Sequence, residues 1–166
     1  MIVLGIDPGT AICGFGVVES IAGQEKAITY GVIETSKDMP MTERLLIVGQ
    51  EFTRLIQEYQ PQAVAVEELF YFKNAKTVIT VAQSRGIILY EAARHGLEIG
   101  EYTPLQVKQA VVGYGTAEKK QVQVMIGKIL KLKKIPKPDD AADALAIAVC
   151  HLHMRKLTEI YGRNRQ

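Results

Sequence analysis

The sequence predicts an α/β fold in one domain, a mixed five-stranded sheet flanked by helices, and three observations carry that expectation. Two short runs rich in β-branched residues and alanine, Ile2–Asp7 and Ala63–Glu67, have the length and continuous hydrophobicity of buried strands. Apolar residues recur at helical spacing through 42–59 and again through 75–94. The chain has 166 residues, close to one domain at about 150 residues each, and it can bury a core without disulfides or a structural metal. A single domain is expected over residues 1–158, with a polar C-terminal tail over 159–166.

In order along the chain, Ile2–Asp7 ends at the turn signal Pro8-Gly9. Gly14–Ser20 and Ala27–Thr35 alternate around Ala22-Gly23-Gln24 and read as an antiparallel meander. From Thr42 to Tyr59 the apolar positions are 45, 48, 52, 55, 56 and 59, a helix that Pro61 stops. Ala63–Glu67 is the second buried strand. Ala75–Arg94 repeats the helical pattern at 78, 81, 82, 88, 89 and 92 and closes at Gly96, before a strand over Leu97–Tyr102. Thr103-Pro104 caps and opens a short helix ending near Gly113. Thr116 is expected to cap the next helix, which carries Val122, Met125, Ile126 and Ile129. Two prolines keep Lys131–Pro138 non-helical, and Asp139 or Asp140 opens a last helix, small and apolar through Ala148.

Apolar residues make up 48% of the chain and charged residues 23%, which excludes a disordered, collagen-like or rod-like coiled-coil protein. No run approaches the ~18 apolar residues of a membrane helix; the longest candidate, Ala141–Cys150, carries Asp143. The N-terminal residues have no signal-peptide pattern, so a cytoplasmic location and no membrane partner are expected. Cys13 and Cys150 are far apart and outside any C-x-x-C pair, and are expected as buried free thiols. His95, His151 and His153 lack cysteines at zinc spacing, and the last two read as ordinary helix-face residues. The net charge of +2 hides an acidic half, −6 over residues 1–68, and a basic half, +8 over 69–166. Lys119, Lys120, Lys128, Lys131, Lys133, Lys134 and Lys137 concentrate the basic charge. Such a cluster is either a solvated face or the footprint of a polyanion, and composition leaves both readings open.

Four acids stand where carboxylates are disfavoured. Asp7 and Glu67 end apolar strands, and Asp140 and Asp143, three apart, share one face of an alanine-rich helix. Each has an ordinary reading as a turn cap, a solvated strand end or a helix cap. Together, strand-end acids from two neighbouring parallel strands and a helix packed beside them can converge on one point, where they would repel unless a cation sat among them. Oxygen donors without sulfur suit Mg²⁺ or Mn²⁺. Two such ions form the clamp that hydrolyses phosphodiesters. The acidic half would then hold metal and the basic half a phosphate backbone.

Gly5-Ile6-Asp7-Pro8-Gly9-Thr10, Val66-Glu67-Glu68-Leu69-Phe70, Gln106-Val107-Lys108-Gln109, Gly115-Thr116-Ala117-Glu118-Lys119 and Asp140-Ala141-Ala142-Asp143-Ala144-Leu145-Ala146 occur in that order. In these five motifs, spread from Met1 to about His153, the chain resembles the RuvC crossover-junction endodeoxyribonucleases. The resemblance implies a ribonuclease-H-like fold, a homodimer, two Mg²⁺ ions per subunit with Mn²⁺ as a substitute, and resolution of four-way Holliday junctions by paired symmetrical nicks. It also implies cooperation with the RuvA–RuvB branch-migration complex. Carried over by position, Asp7, Glu67, Asp140 and Asp143 match the catalytic, metal-binding carboxylates. Lys108 and Lys119 match basic residues that contact DNA, Lys120 adjoins them, and Phe70 matches an aromatic that stacks on unpaired bases. Phe70-Tyr71-Phe72 is itself an aromatic run beside Lys73 and Lys76, suited to splayed bases.

Helix 75–94 is the expected dimer interface, because its apolar positions, Val78 and Ile88 among them, extend around more than one face. Two other readings share parts of this pattern. Gly-Ile-Asp-Pro-Gly-Thr also resembles the first phosphate loop of actin-like ATPases, which need two such domains and a longer chain. Related junction-resolvase-like nucleases act on structured RNA, but they are shorter and lack the aromatic and lysine pattern.

Overall fold

Side-chain alternation along β1 (Ile2–Asp7) sets the layers of the molecule. Leu4 and Ile6 point into one core with Val48, Phe52, Leu55 and Ile88, whereas Val3 points into another with Val107, Ile126, Leu145 and Val149. The sheet therefore lies between two helical layers. The structure, a computed structural model, describes residues 1–69 and 75–163.

After β1 come β2 (Ile12–Ile21), β3 (Gln24–Glu34), α1 (Met41–Tyr59), β4 (Ala63–Glu67), α2 (Ala75–Arg94), β5 (Glu98–Tyr102), α3 (Pro104–Val112), α4 (Lys119–Ile129) and α5 (Asp139–Arg163). The sheet order is β3-β2-β1-β4-β5. β1, β2 and β3 form an antiparallel meander, while β4 lies parallel to both β1 and β5. The five expected strands and the mixed sheet are all present. The meander strands are longer than their hydropathy marks, because ladder pairing continues through polar residues to Ile21↔Gln24. Ala22 and Gly23, both at positive φ, make the two-residue link that suits strand twist.

α3 begins as expected. The Thr103 hydroxyl accepts from the Gln106 N–H at 3.2 Å, and the Gln106 side chain accepts from the Thr103 N–H at 2.8 Å. The cap of α4 differs from expectation: it is Glu118, whose N–H donates to Gln121 Oε1 at 2.8 Å. Ala117, only 1% exposed, is pinned in the core just before it, so Thr116 is left outside the first turn. Both cysteines are free and buried. Among the described residues no helix is long and apolar enough to cross a membrane.

α5 crosses β1 and β2 at very short range. A Cβ on Gly5 would collide with the Ala144 carbonyl, one on Gly14 with the Asp140 carbonyl, and one on Gly16 with Leu145. On the helix side, Ala141, Ala142, Ala144, Ala146 and Ala148 are all buried. Glycine against alanine is what lets helix and sheet approach this closely. Gly14→Ala is normally a favourable exchange in a strand, yet here it must push the start of α5 away. It should cost about 1–3 kcal/mol in a denaturant titration, the usual cost of overpacking.

Candidate active site

The same alternation decides which acids face α5. Ala63 and Ala65 of β4 share the α5-side core with Val3, and their parity continues to Glu67; the parity of Val3 and Gly5 continues to Asp7. β1 and β4 pair in parallel through Val3↔Ala63 to Ile6↔Val66, so Asp7 and Glu67 come one step further along adjacent strands. Glu68 has the opposite parity. Asp140 and Asp143 stand in the first turns of α5, and the tight contact at Gly14, the ladder partner of Asp7, brings that helix end over the two strand ends.

The electrostatics record the convergence. Burial first, then the charges of Glu67, Asp143 and Asp140, push Asp7 up to about 8. Burial and the Asp143 charge push Glu67 up to about 7. Asp143 is also raised, its burial outweighing the ammonium of Lys119. That ammonium lies 2.7 Å from Asp143 Oδ2 and 4.0 Å from Asp139 Oδ2. Partial burial works against the Lys119 cation, but the hydrogen bond to Asp143 and the charges of Asp143, Asp139 and Asp7 hold its pKa above the ordinary lysine value. Asp139 is 60% exposed and stays at the rim, whereas the Asp143 side chain is 27% exposed.

The structure thus brings Asp7, Glu67, Asp140, Asp143 and Lys119 together. Lys108 lies half-buried on α3 and Lys120 exposed in the first turn of α4. Neither makes an ion pair with the four acids. Phe70, with Tyr71 and Phe72, falls outside the described residues. Among the described residues no three acidic, histidine or cysteine side chains are gathered closely enough to grip an ion as they stand. The donor set nevertheless fits a hard divalent cation: four carboxyl groups, no sulfur, and repulsion that such a cation would relieve.

Two side chains that sequence reasoning passed over also reach this end of the sheet. Ser84 Oγ donates to the Gly9 carbonyl at 3.0 Å, and Arg85 Nε donates to the Glu67 carbonyl at 3.2 Å. In the sequence they are polar gaps in an apolar helical pattern, and that reads as a solvent face. His151 and His153 serve elsewhere. His151 is buried and shares a 2.9 Å hydrogen bond with the Tyr102 hydroxyl, two helical turns and about 12 Å beyond Asp143. His153 pairs with Glu25 at 3.0 Å.

A mixed sheet of this order, with acids at the carboxyl ends of two parallel central strands and a helix laying further acids across them, defines a ribonuclease-H-like nuclease. Comparison with known proteins narrows the class. The family model for crossover junction endodeoxyribonuclease RuvC matches residues 3–151. A RuvC of Syntrophomonas wolfei is 63% identical over 95% of this chain and 92% of its own length. A RuvC of Alkaliphilus oremlandii is 51% identical over 97% and 98%. Thermus thermophilus RuvC in complex with its Holliday junction substrate superposes with a TM-score of 0.90 at 37% identity, over 95% of this chain and 96% of that one. The chain belongs to the RuvC family of crossover junction endodeoxyribonucleases, which are metal-dependent nucleases. Its match to relatives of equal length removes support from the two-domain ATPase reading.

Raised carboxyl pKa values have a measurable sign. The folded chain holds protons that the unfolded chain releases from about pH 4 upward, so in EDTA its stability should fall as pH rises from about 4 towards about 8. Asp7→Asn removes the largest such penalty. At pH 8 without metal, thermal melting should place that variant about 3–6 °C above the parent, roughly 1–2 kcal/mol for a chain of this size.

Proposed function

We propose that this protein resolves four-way DNA junctions by hydrolysing one phosphodiester on each of two opposed strands, with Asp7, Glu67, Asp140 and Asp143 holding two Mg²⁺ ions and Mn²⁺ able to replace them. The observation that carries the reading is the convergence on Asp7 of three other carboxylates from β4 and α5. When bound, the ions supply Lewis acidity, lowering the pKa of the attacking water and neutralising charge on the leaving oxygen. The products carry 5′-phosphate and 3′-hydroxyl ends.

The remaining roles belong to the chain itself. Lys119 in this arrangement answers the charge of Asp143, a partner it would give up if Asp143 turned to hold an ion. The freed ammonium is then placed to meet a phosphate oxygen and to stabilise charge that develops in the transition state. Lys120 and Lys128 of α4, with Lys131, Lys133, Lys134 and Lys137 in the segment that leads back to α5, are all exposed and serve as a track for the phosphate backbone. Lys108 adds to that track from α3, and Phe70 stacks on a base opened at the crossover. The work on chromosomal DNA places the protein in the cytoplasm, with the RuvA–RuvB complex as partner.

A second copy supplies the second nick, since a two-fold dimer presents identical sites to opposed strands. The exposed residues of α2, rather than Ile88, are the ones that would serve that contact. Ile88 is fully buried inside the protomer, whereas Ile79 and Tyr90 are 60% and 62% exposed. Between α2 and α1 runs an open groove of about 610 Å³, lined in part by Leu45, Leu46, Gly49 and Ile87. Ile79→Asp or Tyr90→Asp should shift the protein from dimer to folded monomer in sedimentation velocity, and persistence of the dimer removes α2 as the interface.

Cleavage itself is tested by offering a mobile four-way junction, linear duplex and structured RNA, each with Mg²⁺ or EDTA. Paired nicks are expected on the junction with Mg²⁺ alone. Glu67→Gln should slow cutting by about 100- to 1,000-fold, the scale of a lost charge-stabilising group, while junction binding is retained. Preference for the RNA would overturn the assignment.

A further inference from the structure

We propose that a turn and a half of α2, residues 80–85, is a positioning element for the acidic site, fixing the Asp7 and Glu67 strand ends relative to each other from the face of the sheet opposite α5. This rests on the reading above that those two acids hold metal. Three side-chain bonds join this stretch to the two strand ends. The Thr10 hydroxyl donates to the Thr80 carbonyl at 2.7 Å, and Ser84 Oγ donates to the Gly9 carbonyl at 3.0 Å. Arg85 Nε donates to the carbonyl of Glu67 itself at 3.2 Å, while its guanidinium pairs with Glu101 of β5. Gly9 and Thr10 are the second and third residues after Asp7.

The placement matters for three reasons. First, these bonds are sheltered: Ser84 is fully buried, Thr10 is 5% exposed and the Arg85 side chain 17%, so water does not readily replace a lost partner. Second, they hold backbone rather than side chains, leaving the carboxyl groups free to turn towards an ion. Third, the acids they position repel one another, and strand ends that carry repelling charges separate unless something ties them. α2 ties both ends to one short stretch of rigid helix. Packing of Ile88 and Ala92 into the α1-side core anchors that stretch one and two turns further along.

The readout is Mn²⁺ binding by the DNA-free protein, followed by electron paramagnetic resonance well below the melting temperature. Ser84→Ala and Arg85→Gln should each weaken Mn²⁺ binding by about tenfold, the scale on which hydrogen bonds behind metal ligands act, and Arg85→Lys, which keeps a cationic donor on a long stem where glutamine is shorter and neutral, should recover much of the loss. Thr10→Val, which removes only the hydroxyl, should act in the same direction and keeps the test open if Ser84→Ala fails to fold. Leu152→Ala, destabilising the α5-side core at the far part of α5 without touching these bonds or their anchor, should leave Mn²⁺ affinity unchanged. Equal weakening in Leu152→Ala would overturn the proposal by reducing the effect to general destabilisation. Unchanged affinity in Ser84→Ala, Thr10→Val and Arg85→Gln, with binding abolished in Asp7→Asn, would overturn the positioning role and leave the metal site standing. Unchanged affinity in Asp7→Asn would overturn the metal site and the positioning role together.

Discussion

Everything at the acidic end of this molecule depends on how closely α5 lies on the sheet. Two acids ride on strands and two on a helix, so their separation is the helix-to-sheet distance. Ordinary side chains between the layers would hold the helix back by the width of a methyl group or more. Glycine at 5, 14 and 16, facing the first turns of a helix in which Ala141, Ala142, Ala144, Ala146 and Ala148 are buried, removes that spacer. The usual role of a core, to fill volume, is here subordinate to bringing two backbones together.

That closeness has an electrostatic cost, and the fold meets it in two ways. Asp7 and Glu67 are held well above the ordinary carboxyl range, so near neutral pH the metal-free protein keeps part of the site protonated. Lys119 supplies a cation of its own against Asp143. Both devices are reversible: a carboxyl can release its proton, and an ion pair between flexible side chains can open. The acids can therefore be assembled during folding and still be available afterwards to an ion from solution.

Much of this was legible beforehand. The bounds of β1 and β4 follow from short hydrophobic runs that end in an acid, and the four carboxylates stand out because acids are costly in such places. The resemblance to the family picks Glu67 over Glu68, and strand parity gives the physical reason once the α5-facing side is known. What the sequence hides is partnership. Ser84 and Arg85 look like solvent-facing residues until α2 is seen against the turns that leave β1 and β4. Ile88 looks like interface until α1 is seen to cover it. α4 starts two residues beyond the point that Thr116 predicts, because local capping chemistry at Thr116 is overruled by burial of Ala117.

The parity of β1 and β4 also limits how a chain of this kind can change in length. Because each acid is the last residue of its strand, an insertion or deletion of one residue upstream within β1 or β4 would rotate the carboxyl to the other face, among Ile6, Val66 and Phe52. A two-residue change would restore the face but shift the acid by a full pleat relative to α5. Drift in length is thus confined to places such as the Ala22-Gly23 hairpin tip, far from the acids and bound by no such count.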